Sequence, residues 1–214
     1  LRGDVIFPYV HGPWGEGGPL QDLLEADGRP FVGCGAQASR IAMDKVATKM
    51  IALKLGLMTP PSFVLNTRDP KPPLKPPVVV KPVHEGSTLG LRMCATREDF
   101  EKAQREIREE AAKGQSRAYM VEPRVSGREV TVGVIDSEAL PVIEIQPAKG
   151  LYDYEAKYTR DDTKYVLDPV LPPGLSARLA DASVRLMRAI QGRHISRVDY
   201  IVDERGTPWL LEIN

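Results

Sequence analysis

The closing eighteen residues, RVDYIVDERGTPWLLEIN, put four polar side chains where they could act together. Two alternating runs flank a Glu-Arg-Gly-Thr turn, the pattern of an antiparallel hairpin. A symmetric loop centred on Arg205-Gly206 sets Asp199 opposite Glu212 and Arg197 opposite Asn214. Side chains alternate along strands, so these four share one face. Val198, Tyr200, Val202, Trp209, Leu211 and Ile213 then share the other. Opposed carboxylates repel each other, and a divalent cation would neutralise them. Carboxylate oxygens with an amide carbonyl are hard ligands, suited to Mg2+ that also holds substrate phosphates. The alternative is a solvated face whose charges are opposed by accident.

Other groups could handle phosphate. After VVVKP the loop HEGSTLG offers Gly86, Ser87, Thr88 and Gly90, whose N–H groups and hydroxyls could fold over phosphate oxygens. It is neither a Walker A sequence nor a Rossmann fingerprint, and it also reads as a plain hairpin turn. Lys81 ends a strongly apolar strand, where a lysine must leave the core or find an anionic partner. Lys45, on a helix, reads equally as a solvated surface lysine. Glu122 and Glu129 sit at strand ends, where they could bond a base amino group and ribose hydroxyls or simply be hydrated. The segment YDYEAKY carries Lys157 and three tyrosines among few aliphatics, which would suit a lid over a charged substrate. His11 ends a strand beside a glycine-rich turn and, taken alone, reads as structural.

The elements that must position these residues follow from periodicity. DVIFPYV reads as a buried-type strand, followed by a Gly/Pro-rich loop and a short helix over roughly Pro19 to Ala26. FVGCG is a brief strand leading into a helical stretch. From Asp44 to Leu55 the apolar positions Val46, Met50, Ile51, Leu53 and Leu55 suit an amphipathic helix. SFVLN is a strand, and Asp69 to Pro77 a proline-rich connector. VVVKP and LRMCA are strands. Thr96 caps a helix running to about Lys113, with Phe100, Ala103, Ile107 and Ala111 inward. AYMVEP, REVTVGVID and ALPVIEIQP are strands, GLYDYEAKYTRDDTKY a loop, and Ser176 to Gln191 a helix before the hairpin. Strands in runs with inserted helices indicate α+β or mixed α/β lobes.

With 214 residues the chain can bury a sizeable core. Twenty-nine basic residues balance twenty-nine acidic ones, so no global field draws it to nucleic acid or an anionic membrane. No apolar run approaches the ~18–20 residues needed to span a bilayer, and the first residues lack a signal-peptide pattern. Cys34 and Cys94 are far apart and read as reduced thiols of a cytoplasmic protein. Three scattered histidines make a zinc site improbable.

Taken in order, FPYVHGPWGEGG, IAMDKVATK, VVVKPVHEGSTLGL, GREVTVGV, YDYEAKYT and RVDYIVDERGTPWLLEIN resemble the D-alanine–D-alanine ligases of the ATP-grasp superfamily, over essentially the whole chain. The resemblance implies an ATP-grasp fold of two α+β lobes sandwiching ATP, after the remnant of an α/β substrate domain. It divides the chain into residues 1–33 (end of the substrate domain), 34–121 (central lobe) and 122–214 (C-terminal lobe, truncated). It implies ATP-dependent joining of two D-alanines through a D-alanyl phosphate, for peptidoglycan synthesis. Lys45 and Lys81 would contact ATP phosphates, with Glu122 and Val125 by the adenine and Glu129 on the ribose. Ser87 and Thr88 would cover the phosphates, and Lys157 would reach the γ-phosphate. Asp199, Glu212 and Asn214 would hold two Mg2+ ions, or Mn2+. Arg197 would stabilise the transferring phosphoryl group and the tetrahedral intermediate. His11 would line the D-alanine site, and Tyr158 would mark a dipeptide-forming rather than a D-lactate enzyme.

The same resemblance implies a homodimer in the full-length protein. It also marks departures: Thr88 for a second serine, Pro123 without an N–H after Glu122, and a short, proline-rich connector. The early glutamate-bearing segment and the continuation after Asn214 are missing, so the chain reads as a piece of a longer protein, inactive alone. Other readings are a ligase using D-lactate or D-serine as acceptor, and a catalytically silent nucleotide-binding module.

Overall fold

Apolar alternation and helical periodicity resolve into two antiparallel sheets, each covered by helices. The structure is a computed structural model describing residues 4–69, 71–86, 89–147 and 163–214. In chain order the described elements are α1 (Gly12–Glu16), α2 (Pro19–Asp27), α3 (Ala36–Met43), α4 (Lys45–Lys54), β1 (Phe63–Val64), β2 (Val78–Pro82) and β3 (Arg92–Cys94). They continue with α5 (Arg97–Ala112), β4 (Tyr119–Pro123), β5 (Arg128–Ile135), β6 (Glu138–Ala139), β7 (Ile143–Gln146), β8 (Lys164–Leu167), α6 (Leu175–Ala189), β9 (Ile195–Val202) and β10 (Pro208–Ile213).

The smaller sheet runs β1-β4-β2-β3. Val78 and Val80 of β2 point to one side, where they meet Phe100, Ala103 and Ile107 of α5. Helix α5 starts as expected: Asp99 N–H donates to Thr96 Oγ1 at 3.1 Å, and Thr96 N–H donates back to Asp99 Oδ2 at 2.9 Å. Ala111, expected inward, is exposed, and Gln104 takes a buried place instead. The larger sheet runs β10-β9-β5-β7-β8, with β6 beside β5. Its core face, with Val130, Val132, Val198, Tyr200 and Leu210, packs on Leu175, Leu179, Leu186 and Met187 of α6. Each such side chain contributes roughly 1.5–3 kcal/mol by leaving water.

Further expectations change. The run DVIFPYV is not a buried strand: it makes one isolated parallel bridge, Ile6 to Phe31, and Phe7 and Tyr9 are 68% and 81% exposed. Among the described residues no strand pairs with it beyond that bridge, so its alternation has no sheet to enter. The glycine-rich stretch after it forms the short α1, with Pro13 in the first turn, where its missing N–H loses nothing. ALPVIEIQP splits into β6 and β7, and residues expected to close a loop form β8. On α4 the expected apolar face is wrong in part: Met50 and Leu53 are more than half exposed, whereas Lys45, Thr48, Lys49 and Ala52 are buried.

The closing hairpin keeps its expected pairing by an unexpected route. Near the turn Val202 pairs with Pro208, so the loop centres on Arg205 rather than on Arg205-Gly206. Asp203 builds that loop, its Oδ1 accepting from Arg205 N–H and Thr207 N–H, while Gly206 takes φ +76°. A bulge at Leu211 then restores the register, so that Glu212 faces Asp199. Leu210, not Trp209 or Leu211, joins Val198, Tyr200 and Val202 in the core. Trp209 instead donates its Nε1–H to Asp203 Oδ2 at 3.0 Å. The outer edge of β10 is covered, since Leu210 N–H donates to Met58 O and Leu210 O accepts from Thr59 Oγ1.

Candidate active site

A cavity of about 510 Å3 opens between the two sheets. Val79, Lys81 and Met93 line it from the smaller sheet; Glu129, Ile145 and Ile201 line it from the larger. The bulge turns two successive side chains of β10, Leu211 and Glu212, toward it. A regular strand would have sent one of them away. The chain crosses from one sheet to the other at Arg124–Gly127, where a Cβ on Gly127 would lie 2.2 Å from Val202 O. Only glycine permits that approach, and it brings Val125 to the cavity wall.

The wall is strongly charged. Glu122 of β4 pairs across the sheet with Val79, so its side chain shares the face of Lys81. Lys81 Nζ lies 2.5 Å from Glu122 Oε1, and Lys49 Nζ 2.8 Å from Glu122 Oε2. The second contact is an ion pair without hydrogen-bond alignment at Oε2. Lys49 also donates to Thr59 Oγ1 and to Pro60 O, both at 2.8 Å. Burial pushes the Lys49 ammonium down to about 8, against the pull of Glu122 and with the added repulsion of Lys81. Burial alone would raise the Glu122 carboxyl; the two ammonium groups outweigh it and hold it below the usual carboxylate range.

The acid pair of the hairpin lies beside this wall. Lys45 Nζ reaches Glu212 Oε2 at 3.1 Å and donates to Glu85 O at 2.5 Å. Asp44 caps α4 by accepting from Val46 N–H and Ala47 N–H, which sets Lys45 at the helix start. Opposite Glu212, Asp199 accepts from Thr131 Oγ1 at 2.6 Å, from both Nε and Nη2 of Arg197 at 3.0 Å, and from Asn214 Nδ2 at 3.0 Å. Each carboxylate therefore already sits against a cation. That arrangement fits a site for a divalent ion: two opposed carboxylates with an amide beside them supply hard oxygen donors. Among the described residues no cluster of three or more His, Cys, Asp or Glu is gathered. Two carboxylates suit an ion that takes its remaining ligands from phosphates.

The structure thus gathers Lys45, Lys81, Glu122, Val125, Glu129 and Glu212 on the cavity, and ties Arg197, Asp199 and Asn214 into one cluster with Glu212 facing it. His11 stands apart on an exposed segment, its Nδ1 3.4 Å from Glu16 Oε1. Ser87, Thr88, Lys157 and Tyr158 lie outside the described residues. Sequence reasoning missed Lys49, Thr59, Thr131 and the inward turn of Leu211. The i, i+3, i+4, i+7 spacing of Lys45, Thr48, Lys49 and Ala52 was the available signal for the first; only strand register reveals Thr131 and Leu211, and only contact between distant segments reveals Thr59.

Comparison with known proteins places the sequence and the fold. The family model described as D-ala D-ala ligase C-terminus matches residues 65–214. The D-alanine--D-alanine ligase of Psychrobacter sp. strain PRwf-1 is 42% identical over 99% of the chain, which spans 64% of that relative. The solved VanG D-Ala:D-Ser ligase of Enterococcus faecalis superposes with TM-score 0.83 at 28% identity, over 100% of this chain and 64% of that one. The D-alanine--D-alanine ligase of Bacillus anthracis complexed with ATP gives 0.79 at 28%, over 99% and 68%. Two helix-covered antiparallel sheets with a charged cavity between them are the ATP-grasp arrangement expected from the motifs. On sequence and fold together, the chain belongs to the D-alanine–D-alanine ligase family.

Proposed function

We propose that this chain supplies the nucleotide-binding and phosphoryl-transfer machinery of an ATP-dependent ligase that joins two D-alanines into D-alanyl-D-alanine for peptidoglycan. The observation that carries the reading is the cavity between the sheets, with Lys81 and Lys45 on its wall beside the Asp199–Glu212 pair. Apolar walls of Val79, Met93, Ile145, Ile201 and Leu211 suit a flat base, and the lysines suit its phosphates.

In this reading Lys45 and Lys81 hold the phosphates, while Glu122, Val125 and Glu129 flank the nucleoside. Asp199, Glu212 and Asn214 would hold Mg2+, which when bound neutralises phosphate charge and orients the transferring group. The carboxylate of the first D-alanine attacks the γ-phosphorus, forming D-alanyl phosphate and ADP. The amine of the second D-alanine then attacks the acyl carbon, and phosphate leaves. Arg197, already fixed by Asp199, carries positive charge to the tetrahedral oxyanion. Ser87, Thr88, Lys157 and Tyr158 are proposed to cover the phosphates and exclude water, and His11 to line the D-alanine site. The same proposal takes residues 1–33, 34–121 and 122–214 as the parts of a larger, cytoplasmic, homodimeric enzyme that binds neither nucleic acid nor membrane. Among the described residues no helix is long and apolar enough to cross a membrane.

The likeness to a D-Ala:D-Ser ligase favours one second reading, D-serine as the acceptor. A single assay separates the readings: ADP release with Mg2+-ATP and D-alanine alone, or with D-serine or D-lactate added, the product identified by mass. D-Alanine-dependent ADP release with D-alanyl-D-alanine as product supports the proposal. A mixed product moves the acceptor assignment, and tight ATP binding without turnover in the full-length protein favours a silent module.

A further inference from the structure

Two ammonium groups meet one carboxylate in the cavity wall, and all three side chains are more than nine-tenths buried. Lys81 lines the cavity, but Lys49 does not. Lys49 instead reaches Glu122 from behind, braced by Thr59 and Pro60, and Thr59 is itself anchored to Leu210 of β10. Two hydrogen-bond acceptors, Thr59 Oγ1 and Pro60 O, together with the ion pair to Glu122 hold the Lys49 ammonium in one place. If Glu122 faced Lys81 alone, the pair would be electrically neutral. With Lys49 on its other oxygen, the triad carries one net positive charge at a wall where water is largely excluded.

We propose that Lys49 is a positioning residue for phosphate binding: it occupies one oxygen of Glu122, so that this carboxylate cannot neutralise Lys81 outright, and the triad keeps a net positive charge beside the cavity for an anionic ligand. The proposal deepens the nucleotide reading and rests on it. Lys49 touches no ligand itself and acts through Glu122. The charge it leaves exposed on Lys81 favours a polyphosphate over a neutral nucleoside.

The test is titration calorimetry of the full chain with Mg2+-ATP and, separately, inorganic tripolyphosphate, which has no base to touch Glu122. Lys49→Met keeps the length of the side chain and removes its charge; tripolyphosphate affinity should fall tenfold or more, about 1.4 kcal/mol. Lys49→Met with Glu122→Gln restores one net charge, on Lys81, and should recover most of the loss. A purely structural lysine would show no such recovery. Thr59→Val, a milder change that removes one brace, should weaken binding by roughly two- to fivefold. Unchanged affinity in Lys49→Met, or a double variant as weak as the single one, overturns the proposal while leaving the nucleotide reading intact. Failure of the unaltered chain to bind either ligand overturns the nucleotide reading and this proposal with it.

Discussion

Glu122→Gln removes the only carboxylate that the buried Lys49 and Lys81 share among the described residues. Breaking a buried ion pair from one side typically costs about 3–5 kcal/mol, because a charge is left without compensation. Part of that loss has a pH signature. In the native protein the Lys49 ammonium sits at about 8, so below pH 8 it holds its proton both folded and unfolded and adds no slope to stability. Without Glu122 its folded value falls further, and the folded variant loses this proton while the unfolded chain keeps it. The unfolded state then binds one more proton, so the variant gains stability with rising pH, by about 1.4 kcal/mol per unit. The gap between the two proteins should narrow by up to about 2.7 kcal/mol from pH 6 to pH 8 and stay level above that. Urea titrations at pH 6, 7, 8 and 9, with equal slopes in denaturant, measure it directly. A gap that does not change between pH 6 and pH 8 would refute Glu122 as the counter-charge of Lys49.

Three further changes probe the scaffold. Gly127→Ala would drive a methyl into Val202 O, a backbone atom that cannot swing away, so the melting temperature should fall by the equivalent of at least 1–3 kcal/mol, roughly. Thr131→Val deletes a buried hydrogen bond to the Asp199 carboxylate and should cost about 1.5–3 kcal/mol in chemical denaturation; a loss under ~0.5 kcal/mol would mean that Arg197 and Asn214 compensate. Thr96→Ala removes the α5 cap and should lower stability by about 1 kcal/mol, with ligand binding unaffected because neither Thr96 nor α5 lines the cavity.

Local pattern was enough for much of this molecule. The alternation in the closing hairpin put Asp199 and Glu212 on neighbouring strands, with the bulge needed to bring them opposite, and the lysine at the end of VVVKP had to leave the core or find an anion, which Glu122 supplies. The Thr96 cap and the existence of α6 were equally legible, because each depends on residues a few positions apart. What the tertiary structure decided lies in the contacts between distant segments. Helix α4 offers a partly apolar face and a face with Lys45 and Lys49; its neighbours buried these two lysines, because Glu212 and Glu122 lie there with opposite charge. The bulge at Leu211 is decided by the segment at Met58 and Thr59, which takes both backbone groups of Leu210. DVIFPYV had the pattern of a strand and stayed exposed, since a strand forms only where a neighbour offers its hydrogen bonds. Periodicity tells which residues share a face; only the packing of remote parts of the chain tells which face is buried, and against what charge.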